Sequence, residues 1–226
     1  MLVRKMIDVN HSEVERYLGY KGTPSDGITS EMIDFCVSEL NDAAEPKYIY
    51  RQYDVVFTES GGTCEIDIGR MKTCSSNLTH NLKGCTKAFL LAATLGLGPD
   101  RLIARSEITS IVKAAIYQAA AAAMIEAYVD GVNKEIKNKA FEQGLFTRPR
   151  FSPGYGDLPL VLQKDFAAML DMPRTVGITL TESLLMKPSK SVTAIIGLSG
   201  RDTSCVTEGC EVCVRRGECE FSRVTE

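Results

Sequence analysis

Ile111-Val112-Lys113-Ala114-Ala115-Ile116-Tyr117-Gln118-Ala119-Ala120-Ala121-Ala122-Ala123-Met124-Ile125-Glu126-Ala127-Tyr128 decides how this chain folds. Alanine has the best intrinsic helix propensity, and seven alanines fall within Ala114–Ala123. Small side chains also let a second backbone approach closely. The region Glu107–Glu142 therefore reads as one long, largely buried central helix, with Gly131 as the place for a break. Tyr117 and Gln118 interrupt the run, which is too short and too weakly apolar to span a bilayer. Glu126 is a charge in the most apolar turn. The pattern leaves two readings open: a solvated carboxylate on the outer face, or one aimed into a ligand site.

Working outward, the period changes. Upstream, Ser12-Glu13-Val14-Glu15 has the form of a capping box opening a short helix to about Leu18. Met32, Phe35, Cys36 and Leu40 recur at helical spacing from about Thr29 to Ala44, and Pro46 ends that helix. Tyr48–Phe57 and Thr63–Ile68 read as strands, and Asn77–Leu82 as a short helix. Thr86–Leu95 is a continuous apolar run, the mark of a central strand, and Gly96-Leu97-Gly98 reads as a turn after it. Downstream, Arg148–Pro159 is too rich in Pro and Gly for regular structure. Leu160–Leu170 reads as an amphipathic helix, and Val176–Leu180 and Ser191–Leu198 as strands. The order predicts an α+β fold with mostly antiparallel strands, not a doubly wound sheet. Residues 1–200 form the expected body and residues 201–226 a polar, cysteine-rich tail.

The 226 residues carry 26 basic and 29 acidic side chains, a net charge of −3, with no Trp. That charge and the few aromatics argue against a nucleic-acid partner. Met1-Leu2-Val3-Arg4-Lys5 leads into polar residues and gives no secretory signal, so a cytoplasmic protein with no membrane partner is expected. The two histidines, His11 and His80, fall in no HExxH or comparable motif. His80 reads as a surface or capping residue, which disfavours histidine general-base chemistry.

Eight cysteines split into two groups. Cys36, Cys64, Cys74 and Cys85 are scattered, and Cys36 reads as a small buried hydrophobe. Cys205, Cys210, Cys213 and Cys219 are spaced C-x4-C-x2-C-x5-C. Four thiolates this close can converge on one soft metal, with Cys210 and Cys213 as a chelate pair. An iron–sulfur cluster or zinc is the metal reading. Disulfides or free thiols are the alternative.

Arg150-Phe151-Ser152-Pro153-Gly154-Tyr155-Gly156 presents the chemistry. Arg150 offers a planar fork for a carboxylate or phosphate. Pro153 stiffens the loop, Gly154 lets the backbone come close to a ligand, and Tyr155 offers a ring face. These groups suit a small zwitterion with a planar ring. They suit equally a structural loop whose arginine meets a surface carboxylate.

Arg150-Phe151-Ser152-Pro153-Gly154-Tyr155 resembles the R-P-A-P-G-Y loop of the S-adenosylmethionine-binding activation domain of cobalamin-dependent methionine synthase. Leu180-Thr181-Glu182-Ser183-Leu184-Leu185-Met186-Lys187-Pro188-Ser189-Lys190-Ser191-Val192 resembles that family's L-T-E-S-x-x-M-x-P-x-x-S-V stretch. The two occur in the family's order at similar separation, and the resemblance covers roughly Ile111–Leu198. The first hundred residues resemble the free-standing activation-domain proteins. The resemblance implies a curved, mostly antiparallel sheet with surrounding helices. It implies S-adenosylmethionine binding at Arg150, Ser152, Gly154 and Tyr155. It also matches Glu126 to a family glutamate in an A-E-A-F turn, which favours the ligand-facing reading. The family's second acid, six positions before the loop arginine, falls on Gly144, with Glu142 nearby. Its paired tyrosines after the S-V strand have no counterpart.

The implied role is that of an accessory protein. Cobalamin on the synthase oxidises to inactive cob(II)alamin. The activation domain presents S-adenosylmethionine while a reduced donor, a flavodoxin or ferredoxin, supplies an electron and methylcobalamin returns. Cobalamin would come with the partner synthase, since no cobalamin, homocysteine or folate module is legible. The alternative is an iron–sulfur or zinc redox protein on the same fold, working through the terminal cysteines.

Overall fold

The computed structural model describes residues 6–20, 24–60 and 63–201. In chain order the elements are α1 (His11–Tyr17), α2 (Gly27–Ala43), β1 (Lys47–Ser60), β2 (Thr63–Ile68), β3 (Met71–Cys74), α3 (Ser76–Asn81), β4 (Lys87–Thr94), α4 (Leu97–Thr109), α5 (Ile111–Glu142) and β5 (Phe146–Thr147). A 3-10 turn at Leu160–Leu162 leads into α6 (Gln163–Leu170), α7 (Met172–Thr175), β6 (Thr179–Leu180), β7 (Met186–Lys187) and β8 (Ser191–Ser199). Six strands form one sheet in the order β3-β2-β1-β4-β8-β5. Every neighbouring pair in it is antiparallel. The α+β expectation holds.

The sheet has a core on each face, and β4 shows why its sequence is apolar throughout. Phe89, Leu91 and Ala93 enter the core under α1, α2, α4 and α5. Ala88, Leu90 and Ala92 enter the opposite core, with Leu78 of α3, Phe166 and Leu170 of α6, and Phe151 of the loop. A strand covered on both sides has no polar face to alternate with. On its outer flanks β4 pairs Leu91 with Tyr50 of β1 and with Ala194 of β8. Strand β1 changes partner midway: Lys47–Asp54 pair with β4, and Val55–Ser60 with β2.

At 32 residues, α5 is about 48 Å long. It is not one helix from Glu107. Ser110, extended at φ −163°, closes α4 and caps α5 by accepting from the Lys113 amide. A serine hydroxyl there satisfies a first-turn N–H that the alanine signal cannot reveal. The chain does not break at Gly131, because buried Val129 and Val132 hold that turn in the core.

Other departures are local. Asn10, not Ser12, caps α1, and Glu15 accepts from the Ser25 amide instead of closing a capping box. Gly96-Leu97-Gly98 is the start of α4, not a free turn. A side chain on Gly98 would overlap the Ala43 carbonyl at the end of α2, so glycine permits that crossing. Strand β3 was not expected. Of Val176–Leu180 only Thr179 and Leu180 are in a strand, because the Val176 and Ile178 amides both return to the Met172 carbonyl.

Candidate functional site

The Arg150–Tyr155 loop is seated on β8. Phe151 and Ile195 exchange both backbone hydrogen bonds, at 2.9 and 2.8 Å, and the Arg148 amide donates to Gly197 O at 2.8 Å. Phe151 and Pro153 are buried, which fixes the loop by its apolar residues just after Arg150. Asn81 Nδ2 donates to Pro149 O at 3.2 Å and ties the loop base to the end of α3.

Arg150 reaches α5. Its Nη2 donates to Asp130 Oδ1 at 2.8 Å and to Glu126 Oε2 at 3.3 Å. The two acids are four residues apart, so they stack on one helix face. Arg150 Nη1 is buried and has no hydrogen-bond partner among the described residues. An unsatisfied buried guanidinium nitrogen costs free energy, which an incoming acceptor would recover. Sequence reading brought together Arg150 and Glu126 but missed Asp130. Its signal was the i, i+4 spacing from Glu126.

The turn itself collects the other candidates. The Tyr155 amide donates to Ser152 O at 3.1 Å and the Gly154 amide to Leu158 O at 2.8 Å. Gly154 has φ +88°, a conformation that suits glycine. The Ser152 amide and Gly154 carbonyl keep no partner among the described residues and can meet polar edges of a planar ring. The Tyr155 ring packs edge-on to Phe151 with centroids 5.4 Å apart and is 46% exposed.

Asp157 locks the far side of this turn. Its carboxylate accepts from Ser75 Oγ, from the Ser76 amide at 2.6 Å and from the Asn77 amide at 3.3 Å. Burial raises its pKa, but these hydrogen bonds outweigh that effect and hold it below the ordinary carboxylate value. The stabilisation is therefore full above about pH 4, the unfolded-state value, and fades as pH falls through the lower folded-state value. Asp157 is exposed, so Asp157→Asn is expected to cost about 0.3–1 kcal/mol at neutral pH and less in acid. Urea unfolding of both proteins at pH 7 and pH 3 checks this; a pH-independent difference would contradict it.

The Leu180–Val192 stretch serves the frame. Ser189 donates from its amide and hydroxyl to Asp100 of α4 at 2.8 and 2.6 Å, and Lys190 Nζ donates to Gln118 Oε1 of α5 at 2.8 Å. Ser191 Oγ donates to Pro188 O at 2.7 Å and lies 2.8 Å from Thr94 Oγ1 of β4. Farther along α5, Glu135 accepts from Tyr48 at 2.7 Å and Tyr50 at 3.3 Å. The helix carrying the acid pair is thus held both before and after that pair, at Gln118 and at Glu135.

Two concavities lie elsewhere. One, of about 470 Å³, is lined by Gln52, Tyr53, Asp54 and Asp67, and the other, of about 410 Å³, by Leu18, Tyr20, Ile111 and Ile116. None of their lining residues holds a buried polar side-chain atom without a partner, whereas Arg150 does. The chemistry favours the loop over these two concavities. His80 is exposed in the last turn of α3. Cys36 is buried and free, as expected. Among the described residues no group of three or more His, Cys, Asp or Glu could hold a metal. Cys205, Cys210, Cys213 and Cys219 lie outside the described residues. No helix among the described residues is long and apolar enough to cross a membrane.

The family model described as vitamin B12 dependent methionine synthase, activation domain, matches residues 91–203, half of the 226-residue chain. No curated protein matches the chain. Among solved structures, the MetH reactivation domain bound to AdoHcy aligns at 16% identity with a TM-score of 0.59, covering 86% of this chain and 75% of that one. At that identity the likeness concerns the fold.

Proposed function

The chain belongs to the family of vitamin B12 dependent methionine synthase activation domains, and we propose that it binds S-adenosylmethionine at the Arg150 loop and supports reductive remethylation of cob(II)alamin. Its partner would be a cytoplasmic cobalamin-dependent methionine synthase lacking its own activation domain. A reduced flavodoxin or ferredoxin would supply the electron. One observation carries the reading: Arg150 is oriented by Glu126 and Asp130 yet keeps Nη1 buried and without a partner. That nitrogen suits the carboxylate of an amino-acid ligand.

The residues present fit the ligand. Arg150 would hold its carboxylate, Glu126 its cationic groups, and the Ser152–Tyr155 turn its flat base, by backbone edges and the Tyr155 ring. S-adenosylmethionine, when bound, supplies the methyl group. The chain's own contribution is orientation: β8 fixes the loop, α5 fixes the acids, and Phe151 and Pro153 keep the floor dry. The test is reactivation in trans. A methionine synthase without an activation domain, trapped as cob(II)alamin, is mixed with this protein, S-adenosylmethionine and a reductant. Activity should return only when all are present. No return under any donor would overturn the role.

A second reading is favoured by the C-x4-C-x2-C-x5-C spacing. We propose that Cys205, Cys210, Cys213 and Cys219 hold one iron–sulfur cluster or zinc ion as a closed four-thiolate site. Anaerobically reconstituted protein should be brown or carry about one zinc per chain, and any single Cys→Ser change should lower metal content sharply. Four reactive thiols and no metal after anaerobic purification would overturn it.

A further inference from the structure

Resting on the proposed S-adenosylmethionine site, we infer that Asp130 makes that site selective for a cationic sulfonium over a neutral thioether. Arg150 Nη2 is shared between Asp130 at 2.8 Å and Glu126 at 3.3 Å. Two carboxylates against one guanidinium leave the cluster with a net charge of about −1 at neutral pH. The second oxygen of each acid, Asp130 Oδ2 and Glu126 Oε1, has no partner among the described residues. The side chains of Arg150, Glu126 and Asp130 are 22%, 38% and 54% exposed, so the acids can be reached by a ligand while remaining partly shielded from water.

The charge balance then discriminates between two ligands of the same shape. The methionine part of S-adenosylmethionine carries an ammonium, a carboxylate and a sulfonium, for a net charge of +1 by ordinary amino-acid ionisation. In S-adenosylhomocysteine the sulfonium is replaced by a thioether and the sum is zero. Both can give their carboxylate to Arg150 Nη1. Only the first leaves a positive charge for the second acid. Position 144, which the resemblance assigned to a second acid, is an exposed glycine at φ +69° and carries no charge. Asp130 supplies that carboxylate from α5, one turn beyond Glu126. Without Asp130 the cluster is neutral, and the preference for a cation falls.

The experiment is a competition titration of both ligands on the wild type, Asp130→Asn and Asp130→Glu, at low ionic strength. Asp130→Asn should weaken S-adenosylmethionine binding by about five- to tenfold, from loss of one charge at contact range in a partly solvated site. S-adenosylhomocysteine binding should change less than about twofold, because it places no net charge there. Asp130→Glu should restore most of the preference. Equal weakening of both ligands, or no change in either, would overturn the inference while leaving the site intact. A wild type that binds neither ligand would remove the binding reading itself, and the inference with it. Because Asp130 is half exposed, unchanged melting curves are expected for the variants.

Discussion

Phe166→Ala should lower the stability of the fold by about 3–5 kcal/mol, the range for truncating a buried aromatic. Phe166 is fully buried, in the core on the α6 side of the sheet. That core also takes in Leu90 of β4, Ile195 of β8, and Phe151 and Leu158 of the loop that follows Arg150. The substitution would leave a cavity beneath the strand that seats Arg150. In a domain of this size each kcal/mol moves the melting temperature by about 2–4 °C, so a fall on the order of 10 °C is expected. Circular dichroism during heating measures it. A fall of only one or two degrees would mean that the second core is not packed as described.

The sequence carried the frame of this fold because its strongest signals are packing signals. The unbroken apolar run of β4 pointed to a central strand, and the alanines of α5 to a buried helix. The Pro and Gly content of residues 148–159 marked an irregular loop, and the structure has one there. What stayed hidden depends on partners far away in the chain. Asp130 looks like any exposed acid until α5 is laid beside Arg150, twenty residues later. Ser110 ends one helix and starts the next through a single hydroxyl, inside a stretch whose propensity is helical throughout. The choice of Asn10 over Ser12 as a cap was a competition between neighbouring side chains. In the structure Asn10 accepts from the Ser12 amide, and Glu15 accepts from the Ser25 amide. Strand β3 is four residues long, too short to show a period.

The larger functional effect is expected at Arg150. In Arg150→Ala a ligand carboxylate loses a charge-assisted pair worth about 1.5–3 kcal/mol. The loss is compounded because Glu126 and Asp130 then face each other across one turn with no cation between them, and both would repel that carboxylate. The loop should keep its shape, since Phe151 and Pro153 carry its packing and the Phe151–Ile195 backbone pair is untouched. A change in affinity can therefore be read as lost recognition. Isothermal titration of S-adenosylmethionine into the wild type and into Arg150→Ala is the most direct measurement. The account predicts one site on the wild type and binding weaker by at least about tenfold in the variant, since each 1.4 kcal/mol is a factor of ten. Equal affinities for two equally folded proteins would contradict it and place the ligand away from this loop.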